Sequence, residues 1–234
     1  MDYILKKYCP RIDFDSYEDF YENFKINVPE ALNFGFDVVD EWAAVEPDKK
    51  ALLWCNDAGE ERTFTFTDIA RLSNKAANAF RGLGIAKGDV VLCILRRRWE
   101  YWVVATALCK LGATIIPATL QLTKKDISYR ANSADVKAMV CVNDPYVVEQ
   151  TEEALAEAPS IKNTILVDGQ REGWISFDSL IENESETFER PTGDAGVTSK
   201  DIMLIYFTSG TTGNPKAVMH NFAHPLGHIL TAKY

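Results

Sequence analysis

From residue 50 onward, short apolar runs alternate with longer amphipathic stretches, and that rhythm points to a fold. The runs "ALLWCN" (51–56) and "TFTF" (63–66) are split by Asp57-Ala58-Gly59, the mark of a hairpin turn. Next, Ile69, Leu72, Ala76, Ala79, Phe80 and Leu83 recur at helical spacing, which predicts a helix capped by Thr67. Four runs then read as strands: "DVVLCIL" (89–95), "ATIIPA" (113–118), "VKAMVCV" (136–142) and "NTILVD" (163–168). Helices are predicted between them over 99–111, 123–134 and 145–158. The strands show no in–out alternation. Apolar strands separated by helices predict an α/β fold, with a mostly parallel sheet covered by helices on both faces.

The flanks are less regular. Residues 1–32 are aromatic and acidic, and predict helix and loop wrapping a surface. The apolar spacing over 36–45 suits a short helix that Pro47 closes. Glu, Ser, Thr and Gly crowd 182–199, which reads as a surface linker, and 202–207 is a further strand. The expected organisation is an extension (1–32), an α/β subdomain (33–182), a linker (183–200) and a segment opening a second subdomain (201–234).

Composition narrows the function classes. With 47% hydrophobic and 25% charged residues over 234 positions, the chain reads as an ordinary globular protein. Its net charge of −9 argues against a broad nucleic-acid surface, and Arg96-Arg97-Arg98 is too short a basic cluster to make one. No apolar run reaches the roughly 18 residues of a membrane span. The start, "MDYILKKYCPRIDFDSYEDF", has neither the apolar segment of a secretory leader nor the composition of a transit peptide. Five cysteines include no CxxC pair, and Cys93, Cys109 and Cys141 sit in apolar runs. Buried thiols in a reducing compartment are the reading, and a cytoplasmic location the expectation.

One stretch is polar out of proportion: "IYFTSGTTGNPKAVMHN" (205–221). Thr208, Ser209, Gly210, Thr211, Thr212 and Gly213 offer unhindered backbone N–H groups and four hydroxyls, the makings of an anion nest. Pro215 stiffens the exit and Lys216 adds a positive charge. Phosphate is the ligand best matched to that set. The run is not the P-loop of nucleoside triphosphatases, since Pro215 stands five residues beyond Gly210 and Ala217 follows the lysine. A hydroxyl-rich turn without a ligand is the alternative at this point.

"IYFTSGTTGNPK" resembles the phosphate-binding signature of the adenylate-forming superfamily, which includes acyl-CoA synthetases and the adenylation domains of peptide synthetases. "LRRRWEYWVVATALCKLGATIIPATLQLTKKDISYRANSADVKAMV" is similar to the acetyl- and medium-chain acyl-CoA synthetase branch, and the likeness covers roughly residues 33–234. The resemblance implies a two-step ligase reaction: a carboxylate attacks the α-phosphate of Mg2+-bound ATP, and CoA then displaces AMP. It assigns Thr208, Ser209, Gly210, Thr211, Thr212 and Gly213 to the ATP phosphates, with Lys216 setting local charge. It also implies segments for adenine, ribose and acyl chain, including an aromatic-Gly-x-Thr-Glu motif, that are absent from these residues. The expectation is therefore the N-terminal portion of such an enzyme, its C-terminal portion missing, with no complete catalytic set and no turnover alone. A truncated interaction module and a generic phosphate-binding NTPase are the rival readings.

Other features read more plainly. "GLGIAKG" (82–88) misplaces the third glycine of a dinucleotide fingerprint and reads as a helix end and turn. His220, His224 and His228 fall at four-residue spacing, but Pro225 and Gly227 argue against a helix there, so no metal site is assigned. Arg96–Arg98 could face CoA phosphates or solvent. Trp99, Tyr101 and Trp102 read as packing residues, and Gln121 and Lys124 as surface positions without a role.

Overall fold

The computed structural model describes residues 2–208 and 213–233. Strands β1 (Lys50–Cys55) and β2 (Glu61–Thr65) form a separate antiparallel hairpin. The main sheet contains β3 (Val90–Ile94), β4 (Thr114–Pro117), β5 (Val136–Val142), β6 (Asn163–Val167), β7 (Ile175–Ser176), β8 (Ile202–Thr208) and β9 (Lys216–Asn221). Its order is β7-β6-β5-β3-β4-β8-β9, parallel throughout except for the β8–β9 pair. The helices are α1 (Asp2–Tyr8), α2 (Tyr17–Asn23), α3 (Glu41–Val45), α4 (Phe66–Gly82), α5 (Glu100–Leu111) and α6 (Lys124–Ala134). They continue with α7 (Pro145–Leu155), α8 (Phe177–Glu182), α9 (His224–Gly227) and α10 (Ile229–Lys233).

Successive strand residues serve opposite faces. Val91, Cys93 and Leu95 pack with α4, α5 and α8, while Leu92 and Ile94 pack with α6 and α7. Both faces of β3 are dry because each is roofed by an apolar helix stripe, as continuous apolar strands require. The chain crosses from β4 over β3 to reach β5, so the strand order reverses beside β3. In open α/β sheets, the carboxyl ends of strands near such a reversal are where ligands gather.

Helix α4 starts two residues earlier than its apolar spacing suggests. Thr65, not Thr67, is the cap: the Asp68 N–H donates to Thr65 Oγ1 at 3.1 Å, and the Thr65 N–H donates to Asp68 Oδ2 at 2.9 Å. Thr65 ends β2 in extended backbone, which lets its side chain fold over the first turn. The Thr67 hydroxyl instead donates to the Pro47 carbonyl at 2.8 Å.

The 36–45 helix is in fact a π-helical turn over Gly35–Asp40 running into α3. It packs on Lys110, whose side chain is wholly buried. Gly35 lies on the lysine stem, where a Cβ would come within 2.6 Å of Cγ. The ammonium donates to Asp40 at 2.7 Å and to Asn74 Oδ1 at 2.6 Å. Burial pushes Lys110 below the ordinary lysine range and Asp40 above its own, and the mutual attraction offsets both shifts.

The stretch after α8 is surface chain, yet it is well fastened. The Asn78 side-chain amide donates to the Ser185 and Thr187 carbonyls at 3.0 and 2.9 Å. Phe188 is buried, and Arg190 pairs with Asp37 at 2.7 Å. Trp102 is the exception among the expected packing aromatics. It is 53% exposed, because α5 turns Val103, Val104, Ala107 and Leu108 inward and leaves Trp102 on the outer side. Trp99 is buried and stacks on Phe64 at 5.0 Å.

Candidate phosphate-binding site

Strand β8 runs parallel to β4, so the chain leaves it at the carboxyl edge of the sheet, with the ends of β3, β4 and β5. It turns back into β9, and Thr208 faces Lys216 as the last register pair at the hairpin mouth. The Thr208 hydroxyl donates to the Lys216 carbonyl at 3.4 Å. The structure thus brings Thr208, Gly213 and Lys216 to one mouth. Ser209, Gly210, Thr211 and Thr212 lie outside the described residues.

Gly213 has φ +118°, a conformation that side chains resist, and nothing among the described residues stands within 4 Å of where its Cβ would be. The position therefore favours glycine for its backbone. Lys216 is exposed and has no salt bridge among the described residues, so its charge is available to an incoming anion.

Helix α6 supports both shoulders of this mouth, through residues that no motif in the sequence marks. The Tyr129 hydroxyl donates to the Pro215 carbonyl at 3.1 Å, and its ring meets Phe207 edge-on at 6.2 Å. The Arg130 guanidinium lies 5.2 Å from the same Phe207 ring. Their signal was hidden because α6 and the loop are 86 residues apart in the chain.

The remaining candidates separate clearly. Gly84 and Gly88, with φ +82° and +84°, turn the chain between α4 and β3, and the Gly88 N–H donates to the Gly112 carbonyl. Arg98 is committed to Glu100 at 2.7 Å and Asp168 at 2.9 Å, and lies over Trp54. Arg96 and Arg97 line a groove of about 630 Å3 with Asn143 and Asp168 at the ends of β3, β5 and β6. Lys124 pairs with Glu157 at 2.7 Å, and Gln121 is exposed.

The three histidines do come together. Pro225 sits in the first turn of α9, where its missing N–H costs nothing, so the helix forms despite it. His224 lies between His220, with ring centroids 4.0 Å apart, and His228, at 4.7 Å. Burial, followed by the neighbouring imidazoles, pushes His224 below the ordinary histidine range. Among the described residues, no group of three or more His, Cys, Asp or Glu side chains is arranged to hold a metal ion.

The family model for AMP-binding enzymes matches residues 39–232, a span that takes in the β3–β9 sheet and the hairpin mouth. The chain belongs to that family. Acyl-coenzyme A synthetase ACSM4, mitochondrial, from Rattus norvegicus is 36% identical over 215 residues, covering 88% of this chain and 36% of its own length. ACSM5 from Mus musculus is 35% identical over 214 residues, and ACSM3 from Homo sapiens 33% over 215, with 36% of each relative covered. The chain thus spans about a third of the length of the family members it matches. The crystal structure of the anthranilate CoA ligase AuaEII in complex with anthranoyl-AMP superposes with a TM-score of 0.77 at 24% identity. The match covers 87% of this chain and 37% of that one, and shows a shared α/β fold. No described helix is long and apolar enough to cross a membrane.

Proposed function

We propose that this chain forms the phosphate-holding portion of an AMP-forming acyl-CoA synthetase that acts on short- or medium-chain carboxylic acids. The observation that carries the reading is the mouth at the carboxyl edge of the sheet. There, a glycine held at positive φ and a lysine without a salt bridge among the described residues follow the hydroxyl-rich run Thr208–Thr212. The acyl-CoA synthetase relatives and the CoA ligase with the same fold support the reaction class.

In the proposed reaction, a carboxylate oxygen attacks the α-phosphorus of ATP, supplied as its Mg2+ complex, and pyrophosphate leaves. The CoA thiol then attacks the acyl carbon and AMP departs, leaving the thioester. The chain's own part is electrostatic. Thr208–Gly213 and Lys216 are the residues proposed to hold the β- and γ-phosphates as charge builds on the leaving pyrophosphate. A donor set fixed before the reaction contributes more than one that must reorganise. The buried Cys93, Cys109 and Cys141 fit a reducing compartment, either the cytoplasm or the mitochondrial interior that the relatives' names carry.

Calorimetric titration with inorganic pyrophosphate and with Mg-ATP tests the site directly. Lys216→Ala and Gly213→Val are each expected to weaken pyrophosphate binding about tenfold or more, the scale of a lost charge-assisted contact. The 234-residue chain mixed with ATP, CoA and butyrate is expected to form no thioester. A wild-type chain that takes up neither pyrophosphate nor Mg-ATP would overturn the reading.

A further inference from the structure

We infer that Tyr129 is a positioning residue for the phosphate-binding hairpin, one side chain that holds both ends of the loop. The inference rests on the phosphate reading above and adds a device to it. Phe207 immediately precedes Thr208, and Pro215 immediately precedes Lys216. Tyr129 touches both: its ring meets Phe207 edge-on, and its hydroxyl donates to the Pro215 carbonyl at 3.1 Å. Among the described residues, no other side-chain hydrogen bond ties 208–216 to anything outside its own hairpin.

The bond acts on a particular peptide unit. Pro215 has no N–H and a fixed φ, so its carbonyl is the one backbone polar group that this residue itself offers as a handle. The peptide joining Pro215 to Lys216 is planar, and fixing its carbonyl therefore fixes the orientation of the Lys216 N–H as well. The direction in which the strand carries the Lys216 side chain follows from that plane.

The anchor is itself rigid. Thr123 and Asp126 close a reciprocal cap on α6, and the Lys124 N–H donates to Gln150 of α7 at 2.8 Å. Ile127 and Ala131 are fully buried beneath the helix. Arg130, held by the Asp126 carbonyl at 3.0 Å, adds its guanidinium over Phe207. The loop thus hangs from the α/β body at the point where β9, exposed along Lys216–Met219, gives it little support. A loop already held near its binding geometry loses less conformational entropy when the anion arrives.

Tyr129→Phe keeps the ring and removes the hydroxyl. The expected result is pyrophosphate affinity about three- to tenfold weaker, the equilibrium factor of one ordinary hydrogen bond. Faster amide hydrogen exchange confined to 213–217 and an unchanged thermal midpoint should accompany it. Tyr146→Phe, which removes an exposed hydroxyl from α7, is the control and should change none of these. Tyr129→Phe with wild-type affinity and wild-type exchange over 213–217 would overturn the inference, as would a loss of affinity that merely tracks a lowered thermal midpoint. A wild-type chain that binds no pyrophosphate would instead overturn the phosphate reading itself, and the exchange measurement would still decide whether Tyr129 holds the loop.

Discussion

Strands β3 and β9 belong to one sheet but meet opposite surroundings. Every residue of Val90–Ile94 is buried, with β5 and β4 alongside and helices above and below. Lys216–Met219 is exposed, and among the described residues β9 pairs with β8 alone, at the sheet edge. Both runs contain apolar residues, so hydrophobicity alone does not separate them. What differs is how many neighbours hold each one in place. A strand fixed on four sides specifies the fold, while a hairpin fixed on one side can present a loop to a ligand and take its support from a single point such as Tyr129. The carboxyl edge is where the two regimes meet.

The contrast can be broken most forcefully by emptying the core beside β3. Phe80, fully buried on α4, should cost about 3–5 kcal/mol when replaced by Ala, because the surrounding helices and sheet cannot close the cavity. Val218→Ala on β9, at 40% exposure, should stay within about 0.5 kcal/mol. Urea denaturation of both variants measures the pair. Equal losses would mean that the hairpin is part of the core after all.

A smaller effect sharpens the comparison from the helix side. Asp68→Asn weakens the α4 cap and should cost about 1 kcal/mol while leaving pyrophosphate uptake unchanged. The effect depends on pH in a defined sense. The Thr65 N–H holds the Asp68 carboxyl below its ordinary range, so the folded state favours the charged form. The resulting stabilisation is full above the unfolded value near about 4 and is lost as pH falls through the lower folded value. Acid titration of stability should therefore converge for wild type and variant at low pH and separate above it.

The smallest expected effect lies at the far end of β9. With its pKa depressed by burial and by His220 and His228, His224 takes a proton less readily when folded than when unfolded. Local stability over α9 and α10 should therefore fall as pH drops below about 6.5, and the effect should vanish in His224→Ala. Ring-proton titration by NMR checks this, with the His224 midpoint expected below that of a free histidine. A midpoint at or above the ordinary value would mean that the imidazole stack does not form.

Much of the α/β body was legible because its signals are local. "VKAMVCV" is a strand over the whole of 136–142, and Thr123 caps its helix as a Thr-x-x-Asp run should. The misreadings arose at element boundaries and where a distant partner intervened. Thr67 looked like a cap until β2 was seen to extend to Thr65, whose backbone points its hydroxyl at the helix. Over 35–40, the turn winds more widely than its apolar spacing implies, in contact with a buried lysine 70 residues away that is paired with Asp40. Pro225 and Gly227 argued against a helix there, yet both lie within the short α9, with Pro225 in its first turn.

For the site, the expectation came from local chemistry: glycines, hydroxyls and a lysine in one run are the makings of an anion nest, and the phosphate role is the proposal built on them. The positive φ of Gly213 is the backbone expression of that composition. Which residues stand behind the loop was decided in three dimensions. The crossover from β4 to β5 brings α6 against the end of β8, so that Tyr129 and Arg130 meet Phe207 and Pro215. Residue type and short-range spacing can specify a loop's chemistry, because those forces act within a few residues. Its aim depends on contacts that exist only once the sheet has ordered its strands.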